Sequence, residues 1–354
     1  MRVLALTRYG NQAASARLRF HQFDAGLRAR GIELHMASLL NDEQVRASLA
    51  GRRPSLGAVG RSYAERVWQL LGSRRWDLLV IQYELFPNLP AWFEQMLRAA
   101  GVPYVLDLDD AIYHYYDQHP RPVVRQLLGS KIGRVAAGAR AVVAGSQYLV
   151  EFAGRFNRNV HYLPTVVDMD RHRLPLTWDD GRPFTVSWIG SPSTTRCLDE
   201  VKEAFQQLQR SGPLRLVLTG AGTDFRIPGV DVEHRPWTED TEVDNILAGH
   251  VGVMPLPDEP FTRGKCAFKL IQYMACGLPS VASPVGANVD VVTPATGLLA
   301  GTTAEWVKAL DELRRDPVKR ESMGRAGRVR AEELYSVQAR MPELAEIWMG
   351  AARR

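Results

Sequence analysis

The sequence predicts an α/β protein built from two doubly wound domains joined by a linker. Three observations carry this reading. The chain has 354 residues, more than a single hydrophobic core usually serves. Short β-like runs alternate with amphipathic helix-like stretches, and the alternation stops and restarts around a Pro- and Asp-containing break at 164–183, PTVVDMDRHRLPLTWDDGRP. The composition, 45% hydrophobic and 23% charged with no biased tract, is that of a packed globular chain.

The elements follow in order. Strands are expected at 2–7, 32–37, 77–82, 102–107, 141–144 and 160–163, with helices at 16–30, 63–71, 89–100, 123–137 and 147–156 between them. After the break, strands are expected at 184–189, 214–219, 230–233, 251–255 and 280–282, and the stretch 302–349 reads as helices interrupted near Pro317 and Pro342. Strand-helix alternation means a parallel sheet covered on both faces. Ligands in such sheets bind beyond the carboxyl ends of the strands, so the cleft between the two domains is the expected site.

Composition also bounds the function. No apolar run reaches the ~20 residues of a membrane span, and MRVLALTRYG lacks the apolar stretch of a signal peptide, so a cytoplasmic protein is expected. Cys197, Cys266 and Cys276 are odd in number and show no CxxC spacing, which supports neither a disulfide framework nor a structural zinc site. The net charge of +5 is unevenly spread: residues 1–170 hold 21 Lys/Arg against 15 Asp/Glu, residues 171–354 hold 23 against 24. Within 44–76 seven arginines, Arg46, Arg52, Arg53, Arg61, Arg66, Arg74 and Arg75, meet one acid, Glu65. That segment suits an anionic membrane surface, with solvated arginines as the alternative. No nucleic-acid motif accompanies it.

The stretch 254–288, MPLPDEPFTRGKCAFKLIQYMACGLPSVASPVGAN, carries the most chemistry. The chain has six lysines against 38 arginines, yet Lys265 and Lys269 stand four apart. On one helix starting after Gly264, that spacing sets two cations on one face, where like charges are mildly destabilising unless an anion relieves them. Arg263, both lysines and the helix N-terminus would then converge on a diphosphate. Elsewhere Gly190, Ser191, Ser193 and Thr194 follow a strand and open a helix as an N-cap and anion nest, and Leu218-Thr219-Gly220-Ala221-Gly222 is half of a dinucleotide fingerprint without its third glycine.

The run QYMACGLPSVASPVGAN resembles the Glu-Ala-Met-Ala-x-Gly-x-Pro-Val-Val-Ala segment of retaining glycosyltransferases of family 4, which have the GT-B fold. SARLR after the first strand, VVAGSQYLVEF with LPTVVD, and SWIGSPSTT agree with it. The resemblance implies two Rossmann-like doubly wound domains facing across a cleft: 1–165 for the acceptor, a linker 166–183, 184–335 for the nucleotide-sugar donor, and a terminal helix at 336–354 packing back on the first domain. The reaction implied moves a sugar from a UDP- or GDP-sugar to a hydroxyl of a glycan, glycolipid or small molecule, with no firmly bound metal or cofactor. A GT-B epimerase or hydrolase and a non-catalytic nucleotide-sugar-binding protein are the alternatives. A location on the inner face of the cell membrane would suit a lipid-linked acceptor.

Residue roles follow from the resemblance. Gln272 stands where the family has the ribose-contacting glutamate, and Asp258 or Glu259, ahead of Pro260-Phe261, takes the sugar-facing role. Trp237 falls near the nucleotide base. On the acceptor side are Gly10, Arg17, Arg19 and Asp109, with Asp110 expected to activate the acceptor hydroxyl and His114 to sit near the reacting carbon. The Asp107-x-Asp109 pattern also suits the metal site of GT-A transferases, a reading set aside because the phosphate features all lie in the second half.

Overall fold

Contacts in the computed structural model divide the chain into two units, Met1–Thr165 with Arg340–Arg354, and Val166–Ala339. The structure describes residues 1–10, 13–41, 44, 55–222 and 224–353. Among these, each unit holds one six-stranded, wholly parallel sheet.

Unit 1 contains β1 (Arg2–Tyr9), β2 (Glu33–Leu40), β3 (Leu78–Gln82), β4 (Tyr104–Leu108), β5 (Ala141–Ala144) and β6 (Val160–Tyr162), in the order β2-β1-β3-β4-β5-β6. β3, β4 and β5 are buried at every position, as inner strands covered on both faces must be. Two expected helices are each broken in two. The stretch 16–30 forms Ala14–Arg19 and Asp24–Arg28 around a 3-10 turn, because Phe20 leaves helical dihedrals (φ −132°, ψ −60°) and the turn buries Phe20 and Phe23. The stretch 123–137 forms Pro122–Leu128 and Lys131–Gly138. Gly129 lies at that junction, where a Cβ would stand 2.4 Å from the Arg125 carbonyl oxygen.

Of the arginine-rich segment, Arg46, Arg52 and Arg53 lie outside the described residues. The helix Leu56–Leu71 is capped by the Ser55 hydroxyl, which accepts the Ala58 N–H at 3.2 Å. Arg61, Arg74 and Arg75 on and after it are exposed. Arg66 departs from the expected basic surface: it is 1% exposed and donates to the carbonyls of Thr7 (2.8 Å) and Ala37 (3.0 Å). Burial holds its pKa down at about 10.

Unit 2 contains β7 (Phe184–Ile189), β8 (Leu214–Thr219), β9 (Asp231–Arg235), β10 (Val251–Met254), β11 (Ser280–Ala282) and β12 (Gly297–Leu299), in the order β12-β11-β10-β7-β8-β9. β12 was not expected, since a three-residue Gly-Leu-Leu run has no periodicity to read. The two faces carry separate cores: Trp188, Phe205, Leu216, Trp306 and Leu310 on one, Ile189, Ile271, Tyr273 and Met274 on the other.

The segment 166–183, read as a linker, instead packs as part of unit 2. Trp178 donates its indole N–H to the Gly277 carbonyl at 2.8 Å, and the buried Arg320 donates to the Trp178 carbonyl. His250 Nδ1 accepts the Thr185 N–H at 3.0 Å, which leaves Nε2 to donate to Asp180 at 3.1 Å. Polar groups that a free tether would leave to water are met here by the amino edge of the sheet.

Candidate active site

In unit 2 the carboxyl ends of β7, β8 and β9 meet around one buried indole. Trp188, 1% exposed, sits at the end of β7. Its ring edge occupies the space where Gly190 would carry a Cβ, 2.4 Å away, and Lys269 Nζ lies 4.9 Å from its ring centre. Lys269 and the side-chain-free Gly190 therefore flank the same ring. The Gly190 N–H donates to the Thr219 carbonyl at 3.0 Å. Gly220 (φ +74°) crosses so close that a Cβ there would lie 2.4 Å from the Gly190 carbonyl oxygen and 3.2 Å from Trp237 Cβ. Only glycine fits both the dihedral and the approach.

Beyond Gly190 the chain enters a 3-10 helix, Pro192–Val201, through a reciprocal cap in which the Ser191 N–H donates to the Thr194 hydroxyl at 3.1 Å. The Ser191 and Ser193 hydroxyls lie 2.9 Å apart at its open end. Trp237 is held by its indole N–H donating to Glu242 at 2.7 Å. These contacts gather Gly190, Ser191, Ser193, Thr194, Trp237 and Lys269 on one edge of unit 2. Two cavities of unit 2 lie at the opposite, amino edge, about 420 Å³ beside Gly249 and Leu278 and about 680 Å³ beside Pro183 and Pro213.

The 254–288 stretch departs from expectation at its helix. Pro260–Arg263 makes a separate single turn, capped reciprocally by Glu259 and Thr262. The main helix begins only at Phe268 and runs to Ala275, after Ala267 adopts a left-handed φ of +52°. Lys265 thus stands on the connection before the helix, 5.1 Å from the Phe261 ring centre, and the two lysines do not share a helical face. Asp258 and Arg263 form a two-point ion pair at 2.6 and 3.0 Å, which holds the Asp258 carboxyl below its ordinary range. Glu259 lies 3.6 Å from Arg196, a residue the sequence did not single out. Gly286 (φ +54°) lets the loop after β11 lie on this turn, where a Cβ would stand 2.3 Å from the Arg263 carbonyl oxygen. Gln272 is 3% exposed and its Nε2 has no hydrogen-bond partner among the described residues.

In unit 1 the carboxyl ends of β1, β3 and β4 carry Gly10, Tyr83 with Glu84, and Asp109 with Asp110. Gly10 opens a turn by accepting the Ala13 N–H at 3.1 Å, and Arg17 is half-buried on the helix that follows. Arg19 is placed differently from the expected acceptor contact. Its side chain is 1% exposed and makes a two-point pair with Asp107 at 3.0 and 2.8 Å, with a third bond to the Leu163 carbonyl at 2.8 Å. Arg19 ties three chain segments together under the edge.

Asp109 is half-buried, and burial reinforced by Asp110 and Asp107 pushes its carboxyl up to about 7 despite the nearby Arg19. Asp110 is also half-buried beside it. His114 has both ring nitrogens engaged, Nδ1 with Asp117 at 2.9 Å and Nε2 with the Tyr148 hydroxyl at 2.9 Å. Stacking of Tyr113 on Phe152 (3.7 Å, 3°) fixes the same loop. Sequence reasoning missed Tyr83 and Glu84. Glu84 is 3% exposed, paired with Lys131, and accepts the Tyr116 hydroxyl at 2.9 Å. Nothing in QYELF signals a tyrosine with φ +63°. Among the described residues no group of three or more His, Cys, Asp or Glu could hold a metal, and no helix is long and apolar enough to cross a membrane.

Comparison with known proteins adds the family. Residues 10–165 match the model of a glycosyl transferase 4-like domain, and residues 183–316 match the model of glycosyl transferases group 1. The chain is 35% identical over 85 residues, 23% of its length, to a GDP-mannose-dependent monoacylated alpha-(1-6)-phosphatidylinositol monomannoside mannosyltransferase of Corynebacterium glutamicum. It is 26% identical over 219 residues, 54% of its length, to a D-inositol 3-phosphate glycosyltransferase of Gordonia bronchialis. These matches span 22% and 46% of the two relatives' own lengths. Sucrose-phosphate synthase from Thermosynechococcus elongatus shares the fold with a TM-score of 0.72 at 16% identity, over 99% of this chain and 98% of that one. HepE of Anabaena, solved in complex with UDP-glucose, does so with 0.71 at 14% identity, over 98% of each. With both sheets, both family models and these structural neighbours in agreement, the chain belongs to the group 1 glycosyltransferases and has the GT-B fold.

Proposed function

We propose that the protein is a retaining transferase that takes a sugar from a nucleoside-diphosphate sugar held at the carboxyl edge of unit 2 and passes it to a hydroxyl acceptor served by unit 1. The observation that carries this reading is Lys269 Nζ drawn over Trp188 beside the bare Gly190 backbone. A cation next to a backbone free of side chain, with the Ser191 and Ser193 hydroxyls at the helix opening, is suited to a diphosphate. There it would stabilise the negative charge that develops as the diphosphate leaves. The buried Gln272 amide has an unspent donor, which fits a hydroxyl-bearing ribose. Lys265, Arg263 and Glu259 border the same edge through the Pro260–Arg263 turn, and Trp237 is the aromatic surface for the base.

On the acceptor side the reading uses Gly10 and Arg17 for contact, Asp109 and Asp110 for the hydroxyl, and His114 as an oriented neighbour. Retention at the anomeric carbon is what the resemblance in 254–288 implies. UDP and GDP both fit as the nucleotide, since the solved HepE carries UDP-glucose and the Corynebacterium relative is GDP-mannose-dependent. Titration of UDP and GDP into wild-type and Lys269→Ala protein tests the site. One nucleotide should bind, and the variant should bind it about 10- to 100-fold more weakly with its melting temperature nearly unchanged. Equal affinity in the variant would remove Lys269 and this edge from the donor site.

A further inference from the structure

Lys269 and Trp188 come from opposite faces of the sheet in unit 2. Trp188 belongs to the core on one face, with Phe205, Leu216 and Trp306, whereas the helix Phe268–Ala275 packs on the other, where Tyr273 and Met274 join Ile189. Lys269 stands on that second helix, yet its Nζ lies 4.9 Å from the Trp188 ring centre. The ammonium therefore reaches a ring of the opposite core, and meets it where β7 ends, at the carboxyl edge of the sheet.

Both sides of this contact are fixed by packing. Tyr273, one turn after Lys269 and on the same side of the helix, accepts the Ile189 N–H at 3.3 Å and donates to the Val253 carbonyl at 3.2 Å. Gly252 leaves room for its ring, since a Cβ there would stand 2.3 Å away. These contacts set the helix against β7 and β10 next to Trp188. The indole is held as well: it is 1% exposed, and its benzo edge fills the space over Gly190, where a Cβ would lie 2.4 and 2.5 Å from Cη2 and Cζ2.

A lysine stem by itself samples many rotamers, and ordering it when an anion binds costs affinity. An indole face removes that freedom, because its π system attracts the cation, more strongly than the other aromatic rings do and more so where the cation is partly out of water. Lys269 is half-buried. We propose that Trp188 is a positioning residue for the donor: its indole face holds the Lys269 ammonium beside the Gly190 backbone before the nucleotide arrives and keeps it there in the complex. Trp188 acts through Lys269 and needs no contact of its own with the nucleotide sugar. The proposal rests on the donor reading of this edge.

The test varies the ring's electron density while nearly keeping its shape. Trp188 is replaced in turn by mono-, di- and trifluorotryptophan in the full chain, since each fluorine withdraws density from the π face and weakens its hold on a cation without opening a cavity. Binding of UDP and GDP is measured by calorimetry, with Lys269→Ala as the reference. For the nucleotide that binds, affinity should fall stepwise along the series, by about 3- to 30-fold at its end, and the same series on a Lys269→Ala background should be level. NMR of protein carrying isotope-labelled lysine reads the contact itself: the Lys269 Cε protons, identified by their loss in Lys269→Ala, should be shifted upfield by the indole, and an unshifted signal overturns the proposal. Affinity that stays level along the series while Lys269→Ala weakens binding overturns the positioning role and leaves the donor site where it is. Affinity that rises with fluorination also overturns it, because the ring would then compete with the diphosphate for the ammonium. A stepwise fall that persists on the Lys269→Ala background assigns the effect to packing and overturns it too. If neither the series nor Lys269→Ala changes binding, or if neither nucleotide binds, the donor reading of this edge falls and the positioning role falls with it.

Discussion

Substituting Asp107 by Asn separates a structural from an acceptor-binding role for Arg19. The pair is buried, with side-chain exposures of 1% and 4%, and joined by two bonds at 3.0 and 2.8 Å. Breaking one partner of a buried pair generally costs about 3–5 kcal/mol, because the other charge stays buried and uncompensated. The Asn oxygen keeps one acceptor for the guanidinium, and loss of the Asp107 charge lets Asp109, which Asp107 now pushes toward its neutral form, ionise more readily beside Arg19. Both effects move the expectation to the low end, about 3 kcal/mol. Unit 1 comprises 1–165 and 340–354, or 180 residues, a size for which each kcal/mol lowers the melting temperature by roughly 2–4 °C. The unit 1 transition should fall by roughly 6–12 °C. Thermal unfolding gives the size of the loss, and amide exchange in β1 and β4 assigns it to unit 1. The double variant Arg19→Met with Asp107→Leu, which leaves no buried charge behind, should recover most of the loss. A loss below about 1 kcal/mol, or an intact fold with a sharply raised acceptor KM, would refute the structural role and return Arg19 to the acceptor.

Gly190→Ala would set a Cβ 2.4 Å from the Trp188 ring and 2.8 Å from the Thr194 hydroxyl. The ring must shift, at about 1–3 kcal/mol, and nucleotide affinity measured by calorimetry should fall more than for Ala substitution of the exposed Ser193. The Asp109 carboxyl is raised in the fold from its ordinary 3.8 to about 7, so the contribution of its neutral form is complete below pH 4 and is lost as pH rises through 7. Wild type should therefore lose more stability between pH 5 and 8 than Asp109→Asn, by at most about 3 kcal/mol and by less in proportion to solvent access at this half-buried group; parallel urea-stability profiles for the two would contradict this. Around the helix Leu56–Leu71, Trp68 and Leu71 are 73% and 80% exposed near Arg61, Arg74 and Arg75. Co-sedimentation with anionic vesicles should show salt-sensitive binding that Arg61→Glu with Arg74→Glu diminishes; binding indifferent to lipid charge would leave the arginines as solvated.

The carboxyl edge of unit 2 was more legible in the sequence than that of unit 1. Gly190, Ser191 and Thr194 follow a strand and open a helix, so their roles as bare backbone and cap could be read from residue type and order. The 254–288 run was recognisable for the same reason, though its helix start was not. Lys265 and Lys269 have helical spacing, but the Glu259–Thr262 cap ends one turn and Ala267 at φ +52° separates it from the next helix. Periodicity cannot report a left-handed alanine, because a residue with a Cβ rarely takes that φ by local preference.

Strand-helix alternation and apolar runs by themselves determined two parallel sheets, because burial on both faces forces such runs into the sequence. They also marked the acids after β4. Tertiary structure alone decided which charges are available. Arg19 and Arg66 read like surface cations but are buried, one on Asp107 and the other on the Thr7 and Ala37 carbonyls, while Arg61, in the same arginine-rich segment as Arg66, is exposed. Tyr83 reads like an ordinary residue at a strand end but is buried in a turn at φ +63°. A residue's type fixes what its side chain can bond, whereas desolvation and partner geometry fix whether that capacity is spent inside the fold or left for a ligand.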